Sequence, residues 1–171
     1  MVMGVAGCGK STLAKALSQG LRLPFVEGDE LHPAANLRKM HSGQPLDDAD
    51  RAAWLDAIAA LLQDESGYPR GLVLTCSALK YAYRQRLRRA ARELQFLFLD
   101  IEERVARQRL AQRRDHFMPA SLVTSQFATL ERPHTDESDI ATLDASQSPA
   151  QVLQAALAAL GAQRRPPFAL E

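Results

Sequence analysis

The sequence predicts an α/β domain built on a parallel sheet that is covered by helices on both faces. Three observations predict it. Five short apolar runs alternate with segments of helical periodicity, the runs are almost continuously apolar, and a glycine-rich stretch joins the first run to the first helix. The 171 residues suit a single domain. With 46% hydrophobic and 24% charged residues, disorder is excluded. No apolar run approaches the roughly 18 residues of a membrane-spanning helix. Residues 1–20 carry no signal-peptide pattern. Cys8 and Cys76 stand far apart in the chain, which argues for a reducing compartment over a disulfide framework. The expectation is a cytoplasmic globular protein.

Taken in order, residues 1–5 read as a truncated first strand, and Leu13, Ala14, Leu17 and Leu21 mark one face of the helix that follows. Residues 24–27 form a second short strand. Trp54, Leu55, Ile58, Leu61 and Leu62 keep helical spacing after the acidic start at Asp47, Asp48 and Asp50, which suits a helix N-terminus. Residues 72–75 are a third strand, and Leu79, Tyr83, Leu87, Ala90 and Leu94 stripe the next helix. Residues 96–99 are a fourth strand, leading to an arginine-rich helix from Glu102 to about Arg114. Residues 140–143 make a fifth strand. The closing helix carries Val152, Leu153, Ala156, Leu157 and Leu160 and is expected to stop at Gly161. The polar stretch 115–137 breaks the alternation and reads as a flap with one short helix. The end of the chain, 163–171, reads as a loosely held tail.

The net charge is +1, which excludes a strongly basic nucleic-acid binder. Charge is nevertheless concentrated: residues 84–114 hold ten arginines against Glu93, Asp100, Glu102 and Glu103. Such a block in a neutral chain suggests a local anionic ligand such as a polyphosphate. Solvated helix faces account for part of it, Arg104 and Arg107 among them. RNA binding is disfavoured, because no aromatic side chain is interspersed within the clusters 84–92 and 104–114.

Gly4-Val5-Ala6-Gly7-Cys8-Gly9-Lys10-Ser11 matches G-x-x-x-x-G-K-[ST], with an apolar stub before it and an amphipathic helix after it. Its glycines let backbone N–H groups turn inward around a phosphate, and the helix N-terminus adds its positive end. Lys10 would reach the β- and γ-phosphates and Ser11 would hold Mg²⁺. Asp29 follows the second strand, where an acceptor binds in an open parallel sheet, and could orient an attacking hydroxyl and take its proton. A helix cap is the competing reading. Lys80 and Arg84 lie one helical turn apart, a fork suited to an anion. Arg109 and Arg113, one turn apart where the flap begins, could close on a nucleotide. Asp100 stands where a Walker B aspartate would, but reads more simply as a cap. His41, His116 and His134 lack partners at metal-ligand spacing.

The phosphate loop and the run Gly28-Asp29-x-Leu31-His32-Pro33-x-x-Asn36-x-x-Lys39-Met40, continuing through Gly43, Pro45, Leu46, Asp48, Asp50, Arg51, Trp54 and Leu55, resemble the thermoresistant-type gluconokinase family. Cys76-Ser77-Ala78-Leu79-Lys80 with Tyr83, Arg84, Leu87 and Arg88 is similar to the same family. So are His116, Phe117, Leu122, Ser125-Gln126-Phe127, Leu130, Glu131 and Pro133. The resemblance covers residues 4 to about 160.

The resemblance implies a three-layer P-loop NTPase fold: a five-stranded parallel sheet, helices on both faces and a helical lid. It implies one kinase domain over residues 1–161, a lid at about 115–137 and a tail at 162–171. It further implies ATP and Mg²⁺ as cofactors and transfer of the γ-phosphoryl group to the 6-hydroxyl of D-gluconate. On that reading Gly4, Gly7, Cys8, Gly9, Lys10, Ser11 and Thr12 hold the ATP, Ser11 the metal, and Arg109 and Arg113 close from the lid. Lys10, Asp29 and Arg113 are catalytic. Asp29, His32, Lys39, Arg51, Lys80 and Arg84 form the gluconate pocket, their cations available for its carboxylate. The alternatives are a kinase for another small anionic acceptor, shikimate-like, and a nucleotide-binding module without acceptor chemistry. A homodimer stays open.

Overall fold

The computed structural model describes residues 1–64, 66–112 and 120–163. In chain order its elements are β1 (Val2–Met3), α1 (Lys10–Leu21), β2 (Phe25–Val26), a 3₁₀ turn (Gly28–Leu31), α2 (Ala34–His41), α3 (Asp48–Leu62) and β3 (Val73–Cys76). There follow α4 (Tyr81–Ala90), β4 (Phe96–Asp100), α5 (Glu103–Ala111), α6 (Ala120–Thr129), β5 (Ile140–Asp144) and α7 (Pro149–Gln163). The five strands form one parallel sheet in the order β2-β3-β1-β4-β5.

The inner strands β1, β3 and β4 are almost wholly buried because both faces of the sheet are covered there, whereas edge strand β5 buries only Leu143. Along β4, Leu97 and Leu99 enter one core with Leu13, Leu17, Val152 and Ala156, beneath α1 and α7. Phe96 and Phe98 turn the other way, toward Trp54, Leu55, Ile58, Tyr83 and Leu87 of α3 and α4. This period-two alternation divides one continuous apolar run between two cores. The three layers expected from the sequence are therefore present.

The helix starts have local causes. The Asp47 side chain accepts the Asp50 N–H at 2.8 Å, and the Asp50 carboxylate accepts the Asp47 N–H at 3.1 Å, closing a capping box on α3. Gly9, at φ 103°, precedes α1 in a left-handed conformation that a side chain would strain. Two expectations are corrected. Gly161 does not end the last helix, which runs on to Gln163; of the expected tail, residues 164–171 lie outside the described residues. Asp100 caps no helix. Glu102 is the N-cap residue of α5, and the Asp100 carboxylate pairs with Arg132 at 2.5 Å.

The strand order places the site. The chain leaves central β1, builds β2 and β3 on one side, then crosses to β4 and β5 on the other. Connections diverge beside β1, and a crevice opens at the carboxyl ends of the strands there. The loops at 4–9, 27–33 and 77–80 all meet at that edge.

Candidate active site

Gly4 and Gly7 have φ of 138° and 81°. A Cβ on Gly7 would stand 2.6 Å from the Ala106 carbonyl oxygen of α5, so the loop lies directly against that helix. The Lys10 ammonium reaches over the loop and donates to the carbonyls of Gly4 and Val5, each at 3.0 Å. Cys8 is buried in the core beneath the loop; burial pushes its thiol up, so what it can offer a ligand is its backbone.

Asp29 owes its position to Gly28. The Gly28 N–H donates to Thr75 Oγ1 at 3.0 Å, and its carbonyl accepts the Trp54 indole N–H at 2.7 Å. A Cβ on Gly28 would fall 1.9 Å from the Thr75 carbonyl oxygen, which leaves room for glycine alone. Strand β3 and helix α3 thus grip the residue before Asp29 from both sides. Asp29 caps neither neighbouring helix: the 3₁₀ turn and α2 start at Glu27 and Pro33, without side-chain caps. The cap reading of Asp29 is corrected accordingly.

One cleft brings together Lys10, Ser11, Asp29, His32 and Arg51, with Met40 and Leu46 as an apolar wall. His32 is buried and stacked on Trp54, ring centroids 4.2 Å apart. Burial and then the charge of Arg51 lower its pKa to about 4, so the ring is neutral at physiological pH. Arg51 is 7% exposed, and among the described residues its guanidinium makes long contacts, to the Leu46 carbonyl at 3.4 Å and Ser77 Oγ at 3.5 Å. Among the described residues no carboxylate forms an ion pair with it.

The other expected pocket cations are placed elsewhere. Lys39 is ion-paired with Asp50 at 2.6 Å and does not line the cleft. Lys80 pairs with Asp48 at 2.7 Å, and Asp48 also accepts the Tyr83 hydroxyl. Arg84, 1% exposed, gives Nε and Nη2 to Glu137 at 2.8 and 2.7 Å. The expected Lys80–Arg84 fork is therefore not formed, because each cation has its own carboxylate. Much of the arginine block has the same fate, Arg88 pairing with Glu137 and Asp139 and Arg107 with Glu103.

Arg109 and Thr12 line a second cavity, of about 470 Å³, between α1, α5 and the loop before α7, with Gln112, Gln147 and Pro149. It adjoins the phosphate loop at Gly7 and Gly9 and is large enough for a planar base. Arg113 and residues 115–119 of the expected lid lie outside the described residues. Three motif positions to which the sequence assigned no role also meet the site. Gln126 of α6 accepts the Ala6 N–H of the phosphate loop at 2.7 Å, Ser77 faces Arg51, and Asn36 faces His32. Their place in the resembling motifs was the available signal.

The family described as an AAA domain matches residues 1–135. The chain is 50% identical over 137 residues to a gluconokinase of Gluconobacter oxydans, covering 80% of this chain and 77% of that one. The solved structure of a gluconokinase from Sinorhizobium meliloti superposes with a TM-score of 0.85 at 43% identity, covering 95% of this chain and 90% of that one. An unliganded sugar kinase from a Janibacter species superposes with a TM-score of 0.88 at 41% identity, over 94% and 92% of the two chains. With a phosphate loop beside a cleft that holds Asp29 and Arg51, and relatives matched over most of their length, the chain belongs to the gluconokinase family of P-loop kinases.

Proposed function

We propose that the protein transfers the γ-phosphoryl group of ATP to the 6-hydroxyl of D-gluconate, releasing 6-phospho-D-gluconate and ADP. The observation that carries this reading is Arg51, a buried guanidinium without a carboxylate partner among the described residues, in the cleft that holds Lys10, Ser11 and Asp29. A buried charge needs a counter-charge. A sugar-acid carboxylate supplies one, and a neutral sugar does not.

In the proposed reaction Lys10 and the loop amides hold the phosphates, and Asp29 orients the 6-hydroxyl and accepts its proton as the oxygen attacks the γ-phosphorus. The bond to the ADP oxygen breaks as the new one forms. Arg109 packs against the base, and Arg113 is the proposed closing arginine. Ser11 offers a hard hydroxyl oxygen beside Lys10 in the first turn of α1, which fits Mg²⁺, an ion that neutralises β- and γ-phosphate charge when bound. We assign the lid to residues 115–137, with α6 as its described helix, and the setting to the cytoplasm, in keeping with two buried free thiols. Among the described residues no helix is long and apolar enough to cross a membrane.

A coupled ADP-release assay over gluconate, shikimate, nucleoside monophosphates and neutral sugars tests the reading. ADP is expected with gluconate and not with glucose. Comparable kcat/KM for those two would overturn it, and no release with any acceptor would favour a nucleotide-binding module.

A further inference from the structure

We propose that Asn36 locks the His32 imidazole as an Nε2–H donor to an acceptor hydroxyl oxygen, so that His32 reads the polyol chain while Arg51 reads the carboxylate. The inference rests on the cleft being the acceptor site.

The side-chain amide of Asn36 carries two N–H groups and is 4% exposed. Nδ2 donates to the Asp50 backbone carbonyl at 2.7 Å. That bond fixes the orientation of the amide, because its oxygen turned that way would face another acceptor. The same nitrogen stands 3.3 Å from His32 Nδ1. An N–H pointing at Nδ1 requires a lone pair there, and a neutral imidazole with a bare Nδ1 carries its proton on Nε2.

A half-turn of the ring about its own axis would keep the Trp54 stack but set a C–H against the Asn36 N–H, so the contact to Nδ1 selects the orientation and the stack holds the plane. The ring lies on Trp54 at an interplanar angle of 15°, and Trp54 is itself pinned by its indole N–H on the Gly28 carbonyl. With Nδ1 committed to Asn36, the remaining polar atom is Nε2, on a side chain that lines the cleft. Protonation would place a second N–H against the Asn36 donor, and it is opposed by burial and by Arg51 from α3. Of the other charged groups near the ring, Asp29 from the 3₁₀ turn and Lys10 from α1 line the same cleft, while the Asp50 carboxylate is taken by Lys39. His32 is therefore a fixed donor and no competitor of Asp29 for the proton. Asn36 acts through His32 and is a positioning residue.

The test combines long-range ¹H–¹⁵N correlation of the His32 ring, near neutral pH on the protein alone, with initial-rate kinetics. Wild type is expected to show Nε2 protonated and Nδ1 bare. In Asn36→Asp the new carboxylate accepts instead of donating and draws a proton to Nδ1. KM for gluconate should rise roughly 10- to 100-fold with KM for ATP unchanged, the loss expected for a buried hydrogen bond to the acceptor. His32→Phe leaves Asn36 on Asp50, keeps the ring stack and removes the donor, so it serves if Asn36→Asp does not fold; the same rise in KM is expected. An Nδ1-protonated wild type would overturn the lock. A lowered melting temperature in Asn36→Asp with gluconate KM unchanged would reduce Asn36 to a tie between α2 and α3. Failure of wild type to use gluconate would remove the acceptor reading and the hydroxyl contact with it, while the tautomer, read without substrate, would stand or fall separately.

Discussion

Asp29→Asn should leave both melting temperature and ATP affinity nearly unchanged, because Asp29 caps no helix and the loop residues are untouched. Its single-turnover rate should fall by roughly 10²–10⁴, the range of a lost general base, nearer the low end because a loose transition state needs little proton removal. A normal rate in a folded sample would take Asp29 out of the chemistry. Arg51→Gln should act on binding instead. Truncating one member of a desolvated charge pair costs about 2–5 kcal/mol, so KM for gluconate should rise far more than kcat falls. The measurement is a KM-against-kcat comparison, and an unchanged KM would break the assignment of Arg51 to the carboxylate. At this scale the sequence was informative about chemistry and not about availability. Asp29, His32 and Arg51 reach the cleft, while Lys39, Lys80 and Arg84, equally plausible in sequence, do not.

Helix α4 and the segment after α6 are locked together by charge. Arg84 and Arg88 both hold Glu137, Arg84 also donates to the Glu131 carbonyl at 3.0 Å, and the Glu131 carboxylate accepts the Tyr81 N–H at 2.6 Å at the start of α4. The C-terminal part of the proposed lid is thus anchored on α4. Burial alone would raise the Glu137 carboxyl, but hydrogen bonds from Arg84, the His134 amide and Arg88 outweigh it and hold it at about 2. A carboxyl lowered in the folded state contributes stability that is fully present above its ordinary value, 4.5, and is lost as pH falls toward 2. Denaturant midpoints taken across that window should fall on acidification in wild type, and that component should vanish in Glu137→Gln. The variant should also lose about 3–5 kcal/mol at neutral pH, because Arg84 is left buried without its counter-charge. Parallel pH profiles for the two proteins would argue against the pair as the source. The arginine-rich character of α4 was plain in the sequence, but it reads as an anion site until Glu137 is seen to come back to it.

Across the whole molecule, the proposed nucleotide site joins α1, α5 and the loop before α7, elements far apart in the chain. ATP should therefore raise the melting temperature of the entire domain. At a hundredfold excess over its dissociation constant the gain is about 2.7 kcal/mol. Lys10→Ala should melt normally without nucleotide, lose most of that gain, and turn over about 10²–10⁴ more slowly. A folded Lys10→Ala protein with near-normal turnover would contradict the kinase assignment. The sequence by itself determined the class of fold, the phosphate loop and the start of α3, because each rests on neighbours within a few residues: a period, a glycine spacing, a capping box. Only the tertiary structure decided which cations line the cleft and which are paired elsewhere. Lys39 finds its carboxylate 11 residues away, Lys80 32 away and Arg84 53 away, whereas Arg51 meets none among the described residues. A charge is free or spent according to what faces it across the fold, and no local pattern records that partner.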